Sequence, residues 1–111
     1  MNKTILIEIL LDSTSSDAEK DDAVIEIGNN FEDEETIDVL IKVSNSMKTN
    51  DMIVASCGES LGHIWLRTKE INYEKLSYLK GIALNEALSL IKEQRLDWYE
   101  KFMELSSDSK I

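Results

Sequence analysis

The side chain best suited to nucleophilic chemistry in this sequence is its single cysteine, Cys57, and the only histidine that could serve it as a base is His63. Six residues separate them. In a helix this spacing turns the two side chains about 240° apart, so they cannot form a catalytic dyad. A free cysteine within an apolar stripe is usually buried. We therefore predict a core role for Cys57 and a surface position for His63.

A lone cysteine also excludes an intramolecular disulfide and a cysteine-based zinc cluster built from this chain alone. This suits a reducing compartment. The first twelve residues, MNKTILIEILLD, are too short to span a bilayer and lack a small-residue cleavage site. We interpret them as the first structural helix and expect a cytoplasmic location and no membrane partner.

Carboxylates are so numerous that pairs of them are expected by chance. The chain has 22 acidic residues, so no pair is by itself evidence for general acid–base catalysis. The sequence has no calcium loop of the form D-x-D-x-D-G, no H-E-x-x-H pair and no glycine-rich phosphate loop. We expect no cofactor and no metal, and we predict that the protein is not an enzyme.

The distribution of charge is more informative than its total of −10. Residues 1–38 contain twelve acidic and two basic residues, a balance of 2 − 12 = −10, whereas residues 39–111 contain ten of each. An acidic field of this kind repels nucleic acid and attracts basic proteins. The sequence thus favours a basic protein partner over nucleic acid. A solvated acidic face that only keeps the protein soluble is an equally weighted alternative.

The chain has no proline, four glycines and 42% apolar residues, which favours a single all-α domain over residues 1–111. Ser16 and Glu19 have the spacing of a capping box and open a helix that ends near Gly28. The apolar periodicity predicts two further helices, over residues 36–48 after a cap at Asp33 and over residues 52–67 after a cap at Asn50 or Asp51.

The last third of the chain is predicted to be helical as well. Asn72 can cap a helix from residue 73 to about residue 95, bent or split near Gly81. A closing helix carries Trp98, Tyr99 and Phe102, whose spacing is that of a buried stripe, although an exposed aromatic anchor for a partner stays open. Residues 106–111 are expected to fray. We expect about five or six helices in total.

An internal repeat appears when the chain is aligned against itself at an offset of 34. Ala23, Ile27 and Gly28 then fall on a second copy of the same pattern of small residue, aliphatic residue and glycine, formed by Cys57, Leu61 and Gly62. Over residues 17–67 the sequence resembles HEAT repeats. This resemblance implies a stack of antiparallel helical hairpins in which small residues allow close approach. No third aliphatic–glycine pair follows, so a plain bundle stays open.

In such a stack, the outward positions of the two small-residue helices would form a ridge beside the acids of the following turn. These acids could attract a basic partner from a distance and bind it there. We predict a partner-binding surface composed of Asp22, Glu26, Glu32, Asp33, Glu34, Glu35, Asp38, Ser56, Glu59, Ser60 and His63.

Small size, acidity and repeat-like helices together resemble the helical immunity proteins that accompany contact-dependent growth inhibition toxins of bacteria. The resemblance implies a one-to-one complex with the basic C-terminal toxin domain of such an effector, for example a nuclease, whose active site would be occluded. The alternative is a HEAT-like adaptor or scaffold with several protein partners. A small enzyme that uses surface carboxylates is a more distant third reading.

Overall fold

The computed structural model describes residues 2–46 and 48–108, and every regular element within them is an α-helix. The predicted all-α class is thus confirmed. Seven helices are present within the described residues, rather than five or six. Their bounds are α1 Lys3–Leu11, α2 Asp17–Asn30, α3 Glu34–Ser44, α4 Asp51–Thr68, α5 Tyr73–Ser77, α6 Gly81–Gln94 and α7 Leu96–Asp108.

Several helix ends lie where the sequence places them. At α2, the Ser16 hydroxyl accepts a hydrogen bond from the Glu19 amide at 3.1 Å, and the Glu19 carboxylate accepts one from the Ser16 amide at 3.0 Å. Asn50 rather than Asp51 caps α4, with its side-chain oxygen 3.0 Å from the amide nitrogen of Ile53. The predicted capping box is therefore confirmed.

Two predicted ends are wrong. The helix expected over residues 36–48 ends at Ser44, and Met47, a member of its predicted stripe, lies outside the described residues. Of the expected frayed tail, residues 106–108 belong to α7 and residues 109–111 lie outside the described part of the chain. In both cases the apolar pattern alone placed the boundary, and helix boundaries are the weakest part of such a prediction.

The predicted bend near Gly81 is a complete break. The helix capped by Asn72 ends after five residues, and a new helix begins at Gly81, whose φ is +50°. Glycine reaches this left-handed region at no steric cost. The break separates α5 from α6 and accounts for one more helix than expected.

The helices form two layers. In the first layer, α2, α4 and α6 run side by side in the same direction, with α4 in the centre. The direction follows from the order of contacts: the Asp21 carboxylate near the start of α2 contacts Ser56, and the Phe31 carbonyl at the end of α2 contacts Arg67. In the same order, Gly58 and Gly62 of α4 face Ala83 and Leu90 of α6. In the second layer, α1 packs on α2 and α3 packs on α4, and α7 closes the stack against α6. The shortest extent of the molecule is 20 Å, the thickness of two helices.

The core lies between these layers and continues under α7. Cys57 is fully buried and Trp65 is 1% exposed. Trp98 and Phe102 are each 7% exposed, while Tyr99 is half-buried beneath the Lys92 ammonium, which lies 5.2 Å from the ring centre. The predicted core roles of Cys57 and of the α7 stripe are confirmed.

The repeated glycines lie at corresponding contacts between neighbouring helices of the first layer. A Cβ atom on Gly28 would lie 2.6 Å from the Ser60 Cβ, and a Cβ on Gly62 would lie 3.1 Å from the Leu90 Cδ1. Both glycines thus allow close approach to the next helix of that layer.

The third hairpin is shorter than the first two. Val24 contacts Ser60 across α2 and α4, a spacing of 60 − 24 = 36 residues, whereas Gly58 faces Ala83 across α4 and α6, a spacing of 83 − 58 = 25. A self-alignment at a constant offset therefore cannot detect the third hairpin.

Candidate protein-binding surface

The acidic residues at the start of α3 are held in ion pairs within the chain. The Lys75 ammonium from α5 lies 3.0 Å from the Glu34 carboxylate and 2.7 Å from the Asp38 carboxylate. The Lys75 side chain is only 15% exposed. Its hydrogen bond to Asp38 is the main cause that raises the pKa of Lys75, and the bond to Glu34 adds to it.

Lys3 makes the corresponding contacts from α1. Its ammonium lies 2.7 Å from the Asp33 carboxylate and 2.8 Å from the Glu35 carboxylate, and these hydrogen bonds raise the pKa of Lys3. Partial burial by itself would raise the pKa of Asp33. The hydrogen bonds that Lys3 and the Thr36 hydroxyl donate to its carboxylate outweigh this burial and lower the pKa.

Arg67 at the end of α4 binds the end of α2. Its Nε lies 3.1 Å from the Glu32 carboxylate, and its two terminal nitrogens donate to the carbonyls of Gly28 and Phe31 at 3.1 and 3.2 Å. A guanidinium at these carbonyls also complements the negative end of the α2 dipole.

Five predicted site residues are therefore already in ion pairs within the chain and are not free to bind a partner as the sequence suggested. Three basic side chains offset the five carboxylates locally, leaving −5 + 3 = −2. The sequence could not indicate this, because each base lies 30 to 41 residues from the acids it contacts. These residues are Glu32, Asp33, Glu34, Glu35 and Asp38.

The two predicted serines lie in the contact between α2 and α4. The Ser56 hydroxyl donates to the Asp21 carboxylate at 2.6 Å, and the Ser60 hydroxyl donates to the Val24 carbonyl at 3.3 Å. Ser60 is 7% exposed. Ser60 is therefore not on an outward ridge, as the sequence predicted, because its side chain fills the space beside Gly28.

The remaining predicted acids have no basic partner. Within the described residues, no lysine or arginine lies within 4.0 Å of the carboxylates of Asp22, Glu26 or Glu59. Asp22 and Glu59 are exposed and Glu26 is half-buried. The Nε2 atom of His63 lies 3.6 Å from a Glu59 oxygen, one helical turn away. Among the predicted site residues, the acids without a lysine or arginine partner thus lie on α2 and in the middle of α4.

A groove of about 210 Å³ lies between these two helices. The side chain of Ile25 in this groove is 45% exposed. Asn29 and His63 also line a second hollow, which extends the groove toward Leu66 and Gln94. The lining residues of the groove are Ile25, Asn29, Ser56, Glu59, Ser60 and His63.

Sequence reasoning missed the α2 side of this groove. Ile25 and Asn29 line it, whereas Asp22 and Glu26 do not. The only signal was that Ile25 lies outside the buried stripe of its helix, about 100° from Val24, so that it had no core role. The exposed Ile25 and the Glu59 carboxylate make the groove both apolar and acidic, and Asp22 and Glu26 lie on α2 within one helical turn of Ile25.

The buried thiol of Cys57 is not placed for nucleophilic chemistry. Burial raises the pKa of the Cys57 thiol from 9.0 to about 12, and the nearby Asp21 charge adds to this. Among residues 2–46 and 48–108, no group of three or more His, Cys, Asp or Glu side chains is placed to hold a metal ion. In the same residues, no helix combines the length and apolar character required to cross a membrane.

Comparison with known proteins gives no identification. No protein family model, no curated protein and no solved structure matches this chain.

Proposed function

We propose that this chain is an immunity protein that binds and neutralises the basic toxin domain of a contact-dependent growth inhibition effector. The observation that carries the proposal is the exposed groove between α2 and α4, where the exposed side chain of Ile25 and the carboxylate of Glu59, which has no lysine or arginine partner in the described chain, line the same hollow. Such a surface can bury an aliphatic or aromatic side chain of a partner and pair with its lysines or arginines.

The proposed mode of action is occlusion of the toxin active site. A toxin that cleaves nucleic acid must present a basic surface to its substrate, and the carboxylates of Asp22, Glu26 and Glu59 would occupy that surface. Long-range attraction from a chain of net charge −10 would accelerate encounter. The α3 acids contribute to this distant field, while their ion pairs with Lys3, Arg67 and Lys75 reduce their part in direct contact.

The second candidate function is a HEAT-like adaptor, and a specific observation favours it. The side-by-side, parallel arrangement of α2, α4 and α6 presents a continuous face of the kind that helical repeat proteins use for binding. An adaptor would bind several partners weakly, whereas an immunity protein would bind one basic domain tightly in a one-to-one complex.

Co-expression distinguishes these functions. The domain encoded at the end of the adjacent upstream reading frame is expressed with and without this chain, and growth and complex formation are measured. We expect toxicity without the chain, rescue with it, and a one-to-one complex on gel filtration. Toxicity that persists with the chain present, with no complex at low salt, would refute the immunity function.

Charge neutralisation tests the acidic surface at and beside the groove. In the triple variant Asp22→Asn, Glu26→Gln and Glu59→Gln, we expect the association rate with the toxin domain to fall on the order of tenfold at low salt. The matched control, Glu70→Gln with Glu100→Gln and Glu104→Gln, changes the net charge equally at exposed positions on other elements. Equal effects of both triples, measured by stopped-flow or surface plasmon resonance, would move the interface away from the groove.

A further inference from the structure

A second groove, of about 190 Å³, lies where the C-terminal ends of α1 and α3 meet the start of α2. Its walls are aliphatic: Leu10 and Val43 form the buried floor, and Leu11 is 51% exposed at the rim. Lys20, Lys42 and Lys48 stand around it, and no aspartate or glutamate is among the described residues that line it. This is unexpected in a chain with 22 acidic and 12 basic residues.

We call this groove the lysine groove. Unlike Lys3 and Lys75, its three lysines do not hold helices together through ion pairs. Within the described residues, none of their ammonium groups makes an ion pair or a hydrogen bond. Asp12 interacts with Lys20 over a longer distance, and Asp38 lies one helical turn before Lys42. Asp12 accepts hydrogen bonds from Thr14 and Asp38 from Lys75, so both carboxylates already have partners.

Capping of α3 does not explain the three lysines either. The Val43 carbonyl accepts from the Thr49 hydroxyl at 2.9 Å and from the Ser46 amide at 3.2 Å. The Ile41 carbonyl accepts from the Ser44 hydroxyl at 2.8 Å and from an amide of the following turn. The Ile41 and Val43 carbonyls at the end of α3 are thus satisfied by hydroxyl and amide groups. Only Lys42, in the last turn of α3, gains from the helix dipole, whereas Lys20 lies near the positive end of α2.

We propose that the lysine groove binds an acidic polypeptide segment that carries an aliphatic side chain. The aliphatic side chain would cover Leu11 and Val43, and the carboxylates of the segment would pair with Lys20, Lys42 and Lys48. The aliphatic walls favour a peptide over an inorganic anion, because phosphate would leave the apolar surface exposed to water. The site is separate from the acidic groove between α2 and α4, and the two grooves share no lining residue.

Methyl-detected NMR on Leu- and Val-labelled protein tests this proposal. The probe is a short synthetic peptide of glutamates with interspersed leucines, and the comparison probes are the same peptide with lysine in place of glutamate, and inorganic phosphate. We expect the acidic peptide to shift the methyl signals of Leu11 and Val43 in a saturable manner that weakens with salt. No shift, or an equal shift with phosphate or with the basic peptide, would overturn the proposal.

A matched pair of variants separates the groove from general charge attraction. The groove triple Lys20→Gln, Lys42→Gln and Lys48→Gln is compared with a control triple at three lysines on other elements that also lack ion pairs within the described residues, and both carry the same net charge. We expect affinity for the acidic peptide to fall about tenfold in the groove triple, since three peripheral ion pairs are lost, and to change little in the control. Equal losses would overturn the proposal, as would Leu11 shifts that depend only on protein concentration, which would mean a second copy of the chain occupies the groove. The control triple is Lys69→Gln, Lys80→Gln and Lys101→Gln.

Discussion

Cys57 shows at the residue scale how packing decides the chemistry of a side chain. It is the only thiol of the chain, and it lies on α4 among core residues with no exposed surface. Low polarity disfavours the thiolate, which raises its pKa to about 12. The sequence was sufficient to predict burial, because the cysteine falls on the apolar stripe of its helix. The partners of charged residues such as Asp33 could not be predicted, because they come from other elements.

The reactivity of Cys57 gives a direct prediction. A pKa raised from 9.0 to about 12 lowers the thiolate population near pH 8 by about three orders of magnitude. We expect almost no reaction with a chromogenic disulfide reagent in native buffer and complete, rapid reaction in denaturant. The rate is followed by absorbance. A native rate that equals the rate in denaturant would contradict the burial of this thiol.

At the element scale, close approach of α4 and α6 depends on Gly58. A Cβ atom at this position would lie 2.1 Å from the Ala83 carbonyl oxygen, which belongs to the backbone and cannot rotate away. At Gly62 the nearest atom is instead the end of the Leu90 side chain, at 3.1 Å. The two glycines belong to the same helix and gain similarly in helix propensity on change to alanine. They differ in what an added methyl group would meet.

We therefore predict that Gly58→Ala destabilises the protein, while Gly62→Ala is nearly neutral. Overpacking against backbone costs about 1–3 kcal/mol and exceeds the gain of about 1 kcal/mol in helix propensity. At Gly62 the Leu90 side chain can move by a few tenths of an ångström, so the two effects nearly cancel. Urea unfolding followed by circular dichroism measures both variants. Equal stability of the two would show that α4 and α6 are not in backbone contact at Gly58.

At the scale of the whole molecule, ion pairs connect the first turns of α1, α3 and α5. Lys3 of α1 and Lys75 of α5 contact the acids of α3, and Arg67 attaches the end of α2 to the end of α4. Lys3 and Arg67 connect the first hairpin to the second, and Lys75 connects the second to the third. Part of the acidic charge that looked available for a partner therefore serves the assembly of the stack.

Hydrogen bonds to carboxylates, in the helix caps as well as in these ion pairs, predict how stability depends on pH. Hydrogen bonds from the Thr14 amide and hydroxyl lower the pKa of Asp12, and those from Ser16 lower the pKa of Glu19. Asp33 and Asp97 also have lowered pKa values, the latter mainly through its hydrogen bond from Arg95. A carboxyl whose pKa is lower in the folded state stabilises the fold above its unfolded pKa, and this stabilisation is lost as pH falls through the folded pKa.

We expect the free energy of unfolding to change little between pH 7 and about pH 5 and to fall below about pH 4. The variant Asp33→Asn lacks one of these groups. The stability difference between it and the unmodified protein is expected to be largest near neutral pH and to shrink toward pH 3. Urea titrations at a series of pH values measure both proteins. A difference that stays constant over this range would show that the Asp33 carboxylate has no favourable partner in the fold.

The helical class, most helix starts, the burial of Cys57 and of the α7 aromatic residues, and the confinement of the net negative charge to the first third of the chain can all be predicted from the sequence. These features depend on periodicity, local caps or counting, which need no knowledge of distant residues. Which acids are free depends on the packing of the helices. Lys3 and Lys75 reach the α3 acids from elements 30 or more residues away, and Ser60 turns into the α2 contact beside Gly28. Pairing and occlusion are properties of packed neighbours, and the order of residues along a chain does not reveal which neighbours will meet.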